Sequence, residues 1–453
     1  MGIKLKIAAV GAVILGGYFL WDKEPQEEAV DTSYNGAYRF PDGKLVTISP
    51  STATKMRVLH KNGDVQSLYH DGKGVFQAAN GFRSKKTVAT GSFVYSEKGL
   101  ATGANWVEQG NSISVERVGL RHEEMMFQSG DLKLRGKLTL PEGEGPFPVV
   151  ILIHGSESYS AVDYYALPYL LAANGIAGFK FDKRGTGQSE GEYTQHFPTL
   201  SGDVVAAAEL LKARNDIDPE RINLAGFSQG GWIAPLVAKQ IDIQSIMVGF
   251  GCAVSVPRED RWGYVYQLLD KGFGEKEIAV ADEMNEQLDA ILESGDDAAW
   301  DRLFALRNKH IDDDWFRAIV GSDSLLGTVA GKATQSGAFL VPDFGWKLYF
   351  DWKRGDGPNF NRSYNPQETL EDITTPSLWL LAGEDSSIPT GETTEVLEAL
   401  SKKGKPIEYK VYQGAEHGNV LFTTNEQGKR TYTGYAPEYL SDVVEWFKVQ
   451  NDI

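Results

Sequence analysis

Few local patterns constrain a fold as tightly as Gly226-Phe227-Ser228-Gln229-Gly230. It follows the apolar run Ile222-Asn223-Leu224-Ala225 and precedes Trp232-Ile233-Ala234-Pro235-Leu236-Val237, so a strand enters, a helix leaves, and Ser228 sits at the bend. The glycines on either side leave room for a tight strand-to-helix turn that pushes the serine hydroxyl into the open.

The remaining chain is long enough to build a sheet around that turn. At 453 residues, with 42% hydrophobic content, it predicts two or three structural units, one with a sizeable core. A net charge of -17 makes nucleic acid and anionic lipid surfaces poor partners. Cys252 is the single cysteine, so neither an intramolecular disulfide nor a cysteine-based zinc site can form. Residues 1–21 carry two lysines and then an uncharged apolar run from Ile7 to Trp21 without an Ala-x-Ala cleavage signal. They are expected to act as a signal anchor, or alternatively as a cleaved signal peptide, with the following chain exported to the periplasm or cell envelope and no lipidated cysteine. Membrane contact is expected through this segment alone.

Residues 22–33 form a polar tether. Residues 34–110 predict a small antiparallel β module: short runs such as Lys44-Leu45-Val46-Thr47-Ile48 are punctuated by Asp42-Gly43, Asn62-Gly63, Asp71-Gly72 and Asn80-Gly81, which supply the positive φ of tight hairpins. Its His60 and His70 have no neighbours at metal-ligand spacing.

From residue 111 strands and helices alternate, which predicts an α/β fold with a mostly parallel sheet in two parts, 111–256 and 372–453. Val115 to Phe127 and Leu132 to Leu140 read as a leading hairpin, and Pro148 to Ile153 as a strand buried on both faces. The rhythm stops over residues 257–371, where Ile278, Ala281, Met284, Leu288 and Ile291 recur at helical spacing. This is a helical cap insertion. Its aromatic end, Phe344, Trp346, Tyr349, Phe350 and Trp352, serves either as the insertion's own core or as an apolar wall over a site.

A serine hydroxyl needs a base, and the base an orienting acid, to act as a nucleophile. Asp385 lies beyond the strand ending at Leu381 and His417 beyond the strand ending at Tyr412, at the edge where an open α/β sheet places its ligands. The order Ser228, Asp385, His417 matches a Ser-His-Asp triad on such a sheet. Glu384, adjacent to Asp385, is the alternative acid. His122, His196 and His310 lack comparable placement. Two backbone amides are expected to bind an oxyanion, those of Gln229 and of Ser156 in the loop His154-Gly155-Ser156-Glu157, with His154 bracing that loop by hydrogen bonds. The glycine-rich Asp182-Lys183-Arg184-Gly185-Thr186-Gly187 lacks the G-K-[ST] ending of a phosphate cradle.

Together, Gly-Phe-Ser-Gln-Gly, the His-Gly-Ser loop, Phe-Asp-Lys-Arg-Gly-Thr-Gly-Gln-Ser at 181–189, and the placed Asp385 and His417 resemble the α/β-hydrolase superfamily. Within it they resemble the bacterial EstD-like carboxylesterases and the serine aminopeptidase-like hydrolases, over roughly residues 120–450. The amino-terminal β module resembles that of esterases carrying such an extra unit. The resemblance implies hydrolysis of small carboxylic esters through an acyl-enzyme, with no metal and no cofactor. It departs at Glu157-Ser158-Tyr159, where that branch continues with Gly-Pro and an Asp-Arg-Asp cluster. A peptidase or amidase on the same triad is the alternative, with Asp312-Asp313-Asp314 as one source of carboxylates for a substrate ammonium. A non-catalytic envelope binding protein is the third reading.

Overall fold

The computed structural model describes residues 33–52, 55–71, 74–294, 296–320, 322, 324–327 and 363–453. The amino-terminal apolar segment, most of the tether, and the aromatic run Phe344 to Trp352 lie outside the described residues.

The β module is a closed barrel. Its strands are β1 (Gly36–Arg39), β2 (Leu45–Thr52), β3 (Lys55–His60), β4 (Val65–His70), β5 (Val75–Asn80), β6 (Thr87–Tyr95), β7 (Ala101–Glu108) and β8 (Asn111–Arg117), each antiparallel to the next. The barrel therefore ends at Arg117, beyond the boundary expected after residue 110. The alternation in β8 suggests the opening of a leading hairpin, but this strand pairs with both β7 and β1. Closure is the physical reason, because β1 would otherwise present an unpaired edge. Tyr38, Ile48, Met56, Leu68, Phe76, Phe93 and Trp106 fill the interior. The barrel also packs on the α/β part of the chain: Ala37, Leu45, Leu59 and Val65 join one apolar cluster with Tyr439, Val443 and Phe447.

The α/β sheet has eight strands in the order β16, β15, β14, β13, β11, β12, β10, β9. These are β9 (Arg121–Ser129), β10 (Leu132–Leu140), β11 (Phe147–Ile153), β12 (Ala177–Phe181), β13 (Ile217–Phe227), β14 (Ser245–Gly249), β15 (Ser377–Ala382) and β16 (Ile407–Tyr412). β10 runs antiparallel to its neighbours β9 and β12, and all strands from β12 to β16 are parallel. The central strands are continuous apolar runs because helices cover both faces. Val149 through Ile153 are buried without exception. The chain leaves β11 for β12 on one side and returns to β13 on the other, so the carboxyl end of β11 is a topological switch point.

α1 (Ala161–Tyr164) and α2 (Leu167–Ala172) replace the one helix expected from Tyr164 to Asn174; Pro168 starts the second turn. α3 (Phe197–Lys212) and α4 (Gly230–Ala238) follow as amphipathic and largely buried helices respectively.

The helical unit spans Ser255–Tyr364. It contains α5 (Val256–Asp270), α6 (Glu275–Ser294), α7 (Asp297–His310) and α8 (Asp314–Ile319), and no strand among the described residues. The periodic Ala281, Met284, Leu288 and Ile291 of α6 share its core with Tyr264, Trp300 and Phe316. Arg261 and Tyr264 of α5 both bond Asp282 of α6. The insertion ends before the expected boundary at 371, because α9 (Pro366–Asp372) belongs with the sheet, where Leu370 is buried. α10 (Thr390–Lys402) and α11 (Tyr439–Gln450) complete that unit. A small antiparallel sheet of β17 (Ala415–Glu416), β18 (Val420–Thr424) and β19 (Arg430–Tyr435) precedes α11, an element that no sequence pattern announces.

Buried His60 makes this fold acid-sensitive. Burial and nearby Lys44 push it down to about 4. Its unfolded value lies near 6.5, so the unfolded chain binds more protons between these limits and stability declines as pH falls from about 6.5 toward about 4. Urea unfolding at successive pH values from 7 to 5 should show this decline, and the variant His60→Gln should flatten it.

Candidate active site

The turn after β13 is the geometric origin of the site. Ser228 has a φ of 50°, in the left-handed region that a β-carbon disfavours. The glycines around it make that conformation compatible with close packing. A β-carbon on Gly226 would lie 2.3 Å from the carbonyl oxygen of Gly230, and one on Gly230 would lie 2.2 Å from the carbonyl oxygen of Ile153. Helix α4 can therefore begin directly against the end of β11. The Ser228 amide donates to the Gly249 carbonyl at 3.0 Å, and the Ser228 carbonyl accepts from the Gly231 amide at 2.8 Å.

The structure brings Ser228, His417 and Asp385 into one hydrogen-bonded chain. His417 Nε2 is 3.2 Å from Ser228 Oγ, and His417 Nδ1 is 3.0 Å from Asp385 Oδ2 and 3.1 Å from Oδ1. A carboxylate only accepts, so Nδ1 carries the proton and Nε2 is left as the acceptor for the serine hydroxyl. Asp385 is 3% exposed and is held by the amides of Ser387 and Ile388, both on Oδ1. Glu384, the alternative acid, is exposed, and its amide bonds the Ala415 carbonyl. Phe250 meets the His417 ring edge-on, with centroids 5.0 Å apart. Glu416, beside His417, accepts from the Ser386 amide and hydroxyl and from the Tyr432 hydroxyl. It thereby joins the loop after β15 to the small carboxyl-terminal sheet.

The loop after β11 lies against Ser228. A β-carbon at Gly155 would be 3.2 Å from Ser228 Cβ and 2.8 Å from Glu157 Oε2. Ser156 is exposed, and its carbonyl accepts from the Tyr193 hydroxyl; Gln229 is buried at the start of α4. His154 does not brace this loop as expected. Its ring is buried against Tyr165, Glu157 Oε2 lies 3.5 Å from Nδ1, and neither ring nitrogen has a hydrogen-bond partner among the described residues. The bracing comes from Lys183, whose ammonium donates to the Gly155 carbonyl and, at 2.9 Å, to Gln229 Oε1. Burial lowers Lys183 to about 8. Burial favours the neutral form of Glu157, but the nearby His154 ring and the bond from the Tyr165 hydroxyl outweigh it and hold the carboxyl at about 2.

Comparison with known proteins agrees with this architecture. The family model described as "Serine aminopeptidase, S33" matches residues 144–282, and that of the "Dienelactone hydrolase family" matches residues 355–450. The chain has an α/β-hydrolase fold. The hydrolase is 24% identical over 298 residues to an uncharacterized 31.7 kDa protein of the traX-finO intergenic region of Escherichia coli, covering 61% of this chain and 88% of the relative. It is 28% identical over 123 residues to Esterase EstD of Thermotoga maritima, covering 25% and 29% of the two chains. Among solved structures, Est1E from Butyrivibrio proteoclasticus with bound ferulic acid aligns at 18% identity and a TM-score of 0.40, covering 72% of this chain and 96% of that one. The Pyrococcus furiosus esterase PF2001 aligns at 16% identity and a TM-score of 0.40, covering 66% and 84%.

Other candidate residues of the hydrolase are occupied elsewhere. His122 contacts Thr139 and Tyr169, His196 contacts Thr199 at the start of α3, and His310 contacts Asp313. Asp313 also accepts from the Trp315 indole, and Asp314 pairs with Arg317. Among the described residues, no group of three or more His, Cys, Asp and Glu side chains is arranged to hold a metal. No helix among them is long and apolar enough to cross a membrane.

The tight contact at the elbow yields a direct test. Gly230→Ala places its methyl on the Ile153 carbonyl, so β11 and α4 must separate. Thermal or urea unfolding of the variant should show a loss of about 1–3 kcal/mol.

Proposed function

We propose that this hydrolase cleaves carboxylic esters through an acyl-enzyme formed on Ser228. The observation that carries the reading is the Ser228–His417–Asp385 hydrogen-bond chain beginning at a serine held with positive φ. Ser228 Oγ attacks the ester carbonyl carbon while His417 Nε2 takes the hydroxyl proton, and Asp385 stabilises the resulting imidazolium through Nδ1. The carbonyl oxygen becomes an oxyanion, which accepts from the amides of Ser156 and Gln229. Collapse of this intermediate breaks the ester C–O bond, and His417 returns its proton to the departing alcohol. Water then attacks the acyl carbon with His417 again as base, releasing the acid and restoring Ser228.

A second reading, a peptidase or amidase on the same three residues, is favoured by the match of residues 144–282 to the serine aminopeptidase model. Turnover of acyl nitrophenyl esters set against aminoacyl amides distinguishes the two. An exported protein tethered by residues 1–21 is the location we propose, in keeping with the apolar run there.

Replacing Ser228 by Ala should abolish hydrolysis of a short-chain nitrophenyl ester without moving the thermal unfolding midpoint; unchanged turnover in that variant would sink the assignment. Asp385→Asn leaves the site's shape but favours the wrong histidine tautomer. Its steady-state kcat should fall by about 10⁴-fold.

A further inference from the structure

We infer that Lys183 is the positioning residue of the oxyanion site, its ammonium tying together the two backbone segments that carry the oxyanion-binding amides. This inference rests on the serine-hydrolase reading above and extends it to a residue that the reaction cycle leaves unused.

Lys183 follows β12 and is 2% exposed. Among the described residues, no carboxylate lies within ion-pair distance of it; its ammonium donates to two neutral acceptors, the Gly155 carbonyl and Gln229 Oε1. An ammonium taken out of water without a carboxylate is a poor way to stabilise a core, because an apolar side chain of similar volume avoids the desolvation. Its placement makes sense through what the two acceptors control.

The Gly155 carbonyl belongs to the same peptide unit as the Ser156 amide. That unit is trans, since Gly145–Pro146 is the cis bond of the described chain. In a planar trans peptide the carbonyl and the N–H point in opposite directions. By holding the Gly155 oxygen, Lys183 fixes the direction of the Ser156 N–H. It also polarises the peptide, making that N–H a stronger donor. The second acceptor is the side chain of Gln229, whose backbone amide is the other oxyanion donor. Both donors are thus referenced to one cation, across a gap between segments remote in sequence, which no local hydrogen bond spans.

The glycine-rich segment 182–189 exists to aim this lysine. Asp182, fully buried, accepts from the Ser160 hydroxyl and the amides of Val162 and Gln188. Arg184 forms a bidentate pair with buried Asp203 at 2.6 and 2.9 Å. The Lys183 carbonyl accepts from the amide and hydroxyl of Thr186. Gly185 and Gly187 are required by contact: a β-carbon on either would come within 2.1 Å of Tyr193 N or Asp182 Oδ2. With both neighbours pinned on other partners, Lys183 is directed at the elbow.

The test compares wild type with Lys183→Met, which keeps the stem and removes the donor, and Lys183→Gln, which keeps an N–H donor. Each is assayed with a short-chain nitrophenyl ester and with a trifluoromethyl ketone, which forms a tetrahedral adduct on the serine. Lys183→Met should lose about 100-fold in kcat, the scale of one oxyanion donor, with KM changed by less than about 3-fold. Affinity for the trifluoromethyl ketone should fall in parallel with kcat, and Lys183→Gln should recover part of both. Should Lys183→Met, folded by circular dichroism, keep wild-type kcat and ketone affinity, the role of Lys183 is overturned. A rise in KM with kcat unchanged overturns it as well. Wild-type protein that neither turns over the ester nor reacts with a fluorophosphonate overturns the serine-hydrolase reading itself, a distinct result.

Discussion

Everything at the candidate site depends on how closely backbone can approach backbone around Ser228. Gly226 and Gly230 allow the end of β11, the end of β13 and the start of α4 to meet at distances that a single methyl would violate. That approach holds Ser228 at positive φ and lifts its hydroxyl out of the sheet toward His417. Strain at one residue persists because the neighbouring packing determines it. The buried strands β11 and β13 supply the rigid frame, and the loops beyond their ends carry the candidate site.

Around that turn, charge is distributed so that each buried ion has one task. Asp385 orients His417 while two backbone amides hold it in place. Glu416 fastens the loop of Asp385 to the strand that ends beside His417. Asp182 and Arg184 secure the segment between them, leaving Lys183 for the Gly155 carbonyl and the Gln229 side chain. Such placements cost desolvation, and they recur where a site needs preorganised dipoles rather than stability alone.

Much of this was legible in the residue order. The strands ending at Ile153, Phe227, Ala382 and Tyr412 are apolar runs bounded by turn residues, and their ends locate Ser228, Asp385 and His417. The helical spacing of Ala281, Met284, Leu288 and Ile291 likewise places them in one core. Other features were not legible, for a common reason. β8 has the same alternation as a hairpin strand, and only the free edge of β1 explains why it closes the barrel. The strands β17 to β19 are short, from two to six residues, so their pattern does not stand out from a loop. Lys183 is one residue of a glycine-rich segment that fits no phosphate-cradle motif, and Glu416 shows in the sequence only as a neighbour of a histidine.

The sequence by itself determined the reaction geometry's raw materials: the elbow, the order of its three polar residues, and the alternation that makes a parallel sheet. These are carried by local spacing and periodicity, which a chain displays without folding. Only the tertiary structure decided which buried charges serve the site. Lys183, Gly155 and Gln229 are remote in sequence and meet because β12, β11 and β13 end side by side at the switch point of the sheet. Such a meeting depends on strand order, and strand order is set by packing across the whole sheet.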